Sequence, residues 1–180
     1  MSKLLVYTYK TEDKAAQGLQ AITEMKQENI QKPLISIEDA AVVIKNAKGK
    51  VKVRQTLESK VKSVKIASGG FWGLLIGFIF GGPLFGYLLG MGLSALFGRK
   101  IDLGISNSFI KDVSDGLYPG NSALFLLVND DTPVETISSA LEQFGGNLYY
   151  TNFSKEAQEV IAQASEQESL AEALEVEQNE

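Results

Sequence analysis

The 180-residue chain contains no cysteine, no histidine, 44% hydrophobic residues and 17 glycines. The two zeros exclude disulfides, thiol chemistry, zinc held by Cys or His, and any nucleophile activated by histidine. The net charge of -5 averages unlike parts, because residues 154–180 hold eight Glu and one Lys and leave 1–153 at +2.

Within the body, Lys45, Lys48, Lys50, Lys52, Arg54, Lys60, Lys62 and Lys65 stand against Glu58 alone. This basic block directly precedes the most apolar part of the chain. The start, MSKLLVYTYK, has an apolar run too short for the core of a secretory signal, so no export is expected.

In chain order, adjacent apolar residues predict a buried strand over 3–9. Thr11 is a candidate N-cap for a helix of about 18 residues with Ala15, Leu19, Ile22 and Met25 on its apolar face. Pro33 ends that stretch, and a strand is expected over 39–45. A turn with Gly49 at positive φ leads into a half-exposed strand over 51–55, where apolar and basic residues alternate.

Beyond an apolar insertion the same grammar resumes. Phe109, Ile110, Val113 and Leu117 share a helical face, and Pro119-Gly120 makes a turn. ALFLLV at 123–128 reads as a fully buried strand, and Thr132-Pro133-Val134-Glu135 opens a helix with Thr132 as cap. Its core face is Val134, Ile137, Leu141 and Phe144, and Gly145-Gly146 ends it before a strand over 147–152. Two strand-helix-strand units predict an α+β, ferredoxin-like split βαβ domain, with the strands at 4–7 and 124–128 central in the sheet. The insertion interrupts the two halves. The expected units are 1–65, the first half with its basic strand; 66–98, the insertion; 99–153, the second half with its preceding helix; and 154–180, an acidic helix and tail.

The insertion holds 33 consecutive residues without a charge, ten of them glycine. One helix of that length would run roughly 50 Å against a hydrocarbon core of about 30 Å. Gly81-Gly82-Pro83 near its middle supplies a reversal, so the sequence predicts a helical hairpin with arms over 66–80 and 83–97. Glycines recur every four residues: Gly69, Gly73, Gly77 and Gly81 in the first arm, then Gly82, Gly86, Gly90, Ser94 and Gly98 in the second. Each arm would carry a ridge of small residues on one face, a glycine zipper suited to close helix packing in lipid. In water each such glycine costs roughly 1 kcal/mol relative to alanine, which favours membrane insertion over a buried hairpin.

The flanks point the same way. Lys60, Lys62 and Lys65 precede the first arm and Arg99-Lys100 follow the second, while the turn is uncharged. A basic excess at both ends of a hairpin places them on the cytoplasmic side, against anionic headgroups. Lipid is the expected partner, together with further copies of the chain. Nucleic acid is not expected, because no aromatics are interleaved with the basic residues.

Chemistry is sparse. No Lys-Ser/Thr pair follows the glycines, so they form no phosphate loop, and the acidic pairs Glu38-Asp39 and Asp130-Asp131 read as solvated strand ends. No catalytic residue, metal or cofactor is expected, and the chain is not read as an enzyme.

The blocks IEDAAVVIKNAKGKVKVRQ, ASGGFWGLLIG and DLGISNSFIKDVSDGLYPGNSALFLLV, in that order, resemble the bacterial domain of unknown function 1269 family over about residues 2–153. The resemblance implies a membrane-associated protein with no assigned reaction and carries over no active site. Ile105-Ser106-Asn107-Ser108-Phe109 departs from the acidic residues usual there in the family, which weakens any ion-binding role for that segment. The expected function is a non-enzymatic, self-associating membrane scaffold displaying a cytoplasmic domain. A membrane-tethered ligand- or partner-binding domain and an oligomeric pore are the alternatives, the pore disfavoured by its apolar walls.

Overall fold

The computed structural model describes residues 2–28, 35–57, 70–81, 104–159, 161 and 163. Five strands form one sheet: β1 (Ser2–Tyr9), β2 (Ile37–Lys45), β3 (Val51–Thr56), β4 (Ser122–Asn129) and β5 (Asn147–Phe153). The spatial order is β3-β2-β4-β1-β5, and every neighbouring pair is antiparallel. The chain is therefore α+β around a five-stranded antiparallel sheet. The two most uniformly apolar strands, β4 and β1, lie side by side within it, so neither has an edge exposed to water.

The helices are α1 (Lys14–Glu28), α2 (Gly70–Phe80), α3 (Asn107–Gly116) and α4 (Val134–Leu141), the last running into a 3-10 turn at Glu142–Phe144. Two apolar clusters form, one on each face of the sheet. On the first face Leu5, Tyr7, Val42, Leu124 and Leu126 meet Leu19 and Ile22 of α1 and Ile137 and Leu141 of α4. On the second, Leu4, Val6, Val43, Phe125 and Leu127 meet α2, α3 and Ala157 and Ile161 near the C-terminus. This double cover explains why ALFLLV is apolar at every position: alternate side chains enter different cores and neither face meets water. Helical residues also occur at 155–159, where the Ser154 hydroxyl accepts from the Ala157 amide.

Two helix starts differ from the sequence expectation. Thr11 does not cap α1, which begins three residues later at Lys14. Ser122 of β4 does part of that work from across the core: its hydroxyl donates to the Thr11 carbonyl at 2.5 Å and accepts from the Ala15 amide at 3.2 Å. Likewise Thr132 does not cap α4, since Pro133 holds the cap position without a side-chain bond. The buried Thr132 hydroxyl instead accepts from the Ser36 amide at 3.2 Å, tying the loop before α4 to the start of β2. In both cases a tertiary partner satisfies the backbone where a local one was expected.

The first arm of the insertion differs more. The helix there is the 11-residue α2, about 16 Å long at 1.5 Å per residue, roughly half the thickness of a bilayer core. No helix among the described residues is long and apolar enough to cross a membrane. Far from facing lipid on all sides, α2 lays Trp72, Leu75, Ile76 and Ile79 onto the sheet as one stripe at helical spacing. The predicted second arm over 83–97 and the turn at Pro83 lie outside the described residues, so no apolar hairpin is seen.

Candidate functional site

The site is the docking of α2 on the sheet and the face this leaves outward. Trp72 is 5% exposed, and its indole Nε1 donates to Asp39 Oδ2 at 2.9 Å. Asp39 sits in β2 where the register against β4 slips between Ile37 and Asp39, and its other oxygen accepts from the Ala40 amide at 2.7 Å. The slip turns the carboxylate toward α2, where it satisfies an indole N–H that would otherwise be buried alone. Around this bond Trp72 meets Phe125 edge-on at 6.2 Å and Phe71 at 5.3 Å, and Phe80 meets Phe125 at 6.4 Å. At the far end of α2 the Ser114 hydroxyl of α3 donates to the Ile79 carbonyl at 3.1 Å.

Asp39 is thus not a solvated strand end, whereas Glu38 beside it is exposed at the second position of β2. Glu38 accepts from the Ser2 hydroxyl at 2.8 Å. Asp130, by contrast, lies just past the end of β4, where its side chain and backbone carbonyl hold Lys3.

With the Trp72 stripe against the sheet, Gly73 and Gly77 fall on the other side of α2, since residues one and five positions on from Trp72 share neither its turn position nor its face. A Cβ added to Gly73 would meet nothing within 4 Å. Gly81 follows on the exposed end of the helix, its amide bonded to the Gly77 carbonyl at 2.7 Å. Two members of the predicted ridge thereby lie on one short helix and a third just past its end. Gly69, Gly82, Gly86, Gly90, Ser94 and Gly98 lie outside the described residues, as do Lys60, Lys62, Lys65, Arg99 and Lys100.

Part of the basic block is used within the fold. Lys45 donates to the Leu117 carbonyl at 2.9 Å, satisfying the C-terminal end of α3, and Arg54 lies 3.7 Å from Asp13 at the start of α1. Lys48, Lys50 and Lys52 remain exposed. The Ser106 hydroxyl caps α3 by accepting from the Phe109 amide at 3.2 Å, which gives the non-acidic segment before Phe109 a structural role.

Sequence reading missed a second feature. Beside β5, on the α1 and α4 face, runs an open groove of about 910 Å³ lined by Lys3, Tyr7, Glu135, Ser138, Glu142 and Tyr150 among others. The Tyr7 and Ser138 hydroxyls share a hydrogen bond at 3.0 Å on its floor. Burial raises the Tyr7 phenol above its ordinary value and the Ser138 bond pulls it partly back, so it stays protonated and can donate. These residues come from separate elements with no fixed spacing, so no sequence motif announced them.

The fold and this arrangement define an α+β protein in which one short apolar helix of the glycine-bearing insertion, α2, is seated on the sheet. The family model described as protein of unknown function (DUF1269) matches residues 66–166, more than half of the chain, and the chain belongs to that family. The match begins at the insertion and runs past Phe153, so the resemblance at 37–55 lies outside it. Comparison with curated proteins and with solved structures gave no match.

Proposed function

We propose that this protein is a non-enzymatic, membrane-associated scaffold whose ferredoxin-like domain holds the first arm of a glycine-ridged segment docked on its sheet, ridge outward, for self-association. The observation that carries the reading is the division of α2 into a Trp72 stripe bound to the sheet and a side bearing Gly73 and Gly77, where a Cβ added at Gly73 meets nothing within 4 Å. A helix that buries its Trp72 stripe and carries a narrow strip of glycines beside Leu74 and Phe78 suits two partners at once, the second approaching closely along the glycines. Leaving β3 aside, the order β5-β1-β4-β2 is that of a split βαβ sheet, which supports the ferredoxin-like reading.

Membrane association is supported by the 33 uncharged residues and their basic flanks. With α2 seated on the sheet, the lipid contact falls to the part of that segment beyond Gly81, and the globular domain would lie on the cytoplasmic side. Carbonate extraction of membranes, followed by crosslinking of the retained protein, tests this reading. Retention with crosslinked oligomers is expected; release as a monomer contradicts it.

The groove beside β5 favours a second reading, a ligand- or partner-binding domain attached to the membrane. A thermal shift of the full chain with a panel of cationic and neutral metabolites tests it. A concentration-dependent rise in midpoint supports the reading, and an unchanged midpoint across the panel removes it.

A further inference from the structure

The two ends of the sheet are built differently. At one end β3 is defended: its register against β2 slips between Val42 and Val43, leaving Arg54 as an extra residue, and both Lys52 and Arg54 are exposed. A bulge and outward cations are the devices by which natural sheets prevent another strand from adding to an edge. At the other end β5, NLYYTNF, has neither. It contains no charge and no proline, and it pairs with β1 in unbroken register from Ser2↔Phe153 to Thr8↔Asn147. It also exposes Tyr150, 61% accessible and one of two large hydrophobics left open among the described residues.

We infer that the β5 edge is a self-association surface, on which the β5 strand of a second copy adds antiparallel across a two-fold axis at Tyr150. The strand is complementary to itself in that register. Tyr150 would face Tyr150, Tyr149 would face Thr151, and Leu148 would face Asn152 of the second copy, with no like charges opposed. Opposed residues lie on the same face of the joined sheet, so each copy keeps its two cores and the two sheets become one. The contact is isologous and closes at a dimer, whereas adding β3 of another copy would set its bulge and cations against the strand and leave an open chain of subunits. This surface is separate from the glycine ridge of α2, which lies on the opposite face of the sheet.

The absence of cysteine makes the test direct. Residues opposed across an antiparallel pair have Cα atoms about 4.5–5.5 Å apart, within disulfide range. In the full chain, kept in mild detergent, Tyr150→Cys is expected to form an intermolecular disulfide at least about ten-fold faster than Lys52→Cys on the defended edge. Equal rates overturn the inference. Independently, Tyr150→Lys sets two ammonium groups opposite each other and should weaken dimerisation by about ten-fold or more in sedimentation equilibrium. Because Tyr150 is exposed, its circular dichroism and thermal midpoint should match wild type. A Tyr150→Lys protein that is folded and associates as wild type does, or a Tyr150→Cys protein that stays monomeric under oxidation, contradicts the inference. Failure here leaves the glycine-ridge reading standing, since crosslinks through α2 would be unaffected.

Discussion

The indole of Trp72 donates to the carboxylate of Asp39 at 2.9 Å, joining the apolar insertion to the second strand across 33 positions of sequence. The bond lies between residues that composition alone would send to different solvents, one to lipid and one to water. Its consequence is that α2 belongs to the same cooperative unit as the sheet.

Removing that bond should therefore destabilise the sheet domain as a whole. Trp72→Phe keeps most of the apolar contact and is expected to cost about 1–2 kcal/mol in urea unfolding followed by circular dichroism. Combined with Asp39→Ala, the pair should be non-additive by about 1 kcal/mol. Additive effects would mean that α2 is not held by this contact.

Ser122 serves two backbone groups from a fully buried position, the Thr11 carbonyl and the Ala15 amide. Ser122→Ala leaves both without their partner and should cost about 1–3 kcal/mol, with faster hydrogen exchange in the first turn of α1. Thr11→Ala, which removes only the side chain expected to cap, should change stability by less than about 0.5 kcal/mol.

Gly146 joins α4 to β5 at φ +105, and a Cβ there would lie 2.7 Å from the Thr8 carbonyl oxygen. Gly146→Ala should cost about 2 kcal/mol or more by urea unfolding, because backbone strain and a clash with backbone add together. Gly73→Leu has open space before it and helical geometry, so domain stability should rise by up to about 1 kcal/mol while self-association through the ridge is lost. Unchanged mass in mild detergent would contradict the packing role of that face.

The Tyr9 hydroxyl is buried with no hydrogen-bond partner among the described residues. Desolvation, then the neighbouring Tyr7, hold its phenol far above the ordinary value of 10.0, and Tyr7 is raised too. A raised phenol means that the folded state keeps a proton the unfolded chain releases. The stability tied to it is intact below pH 10.0 and declines as pH rises beyond that value. Tyr9→Phe should shallow that alkaline decline and, by removing an unpaired buried hydroxyl, should stabilise at pH 7 by about 1 kcal/mol.

Much of the sheet was legible in the sequence because its signals are local. The apolar runs of β1 and β4, the Gly49 and Pro119-Gly120 turns and the Gly145-Gly146 stop all act within a few residues, and φ at Gly49, Gly120, Gly145 and Gly146 is positive as a turn or stop there requires. The helix starts were less legible, because Ser122 and Thr132 act on backbone far away in sequence. The seat of α2 was not legible at all. Leu, Ile, Phe and Trp suit a lipid tail and a sheet face equally, and only Asp39, turned out by an irregularity in β2, decides between them. The groove at Tyr7 and Ser138 assembles from several elements and had no periodic signature to find.

Trp72 is the sole tryptophan of the chain, so its fluorescence reports on α2 without interference. The direct measurement is quenching of that emission in the full protein bound to vesicles containing brominated acyl chains. With α2 seated on the sheet beside Asp39, the emission should be quenched little at any bromine depth and should respond to Asp39→Ala. Strong quenching by bromines near the bilayer centre, unaffected by Asp39→Ala, would mean that α2 lies among lipid tails and would contradict the account.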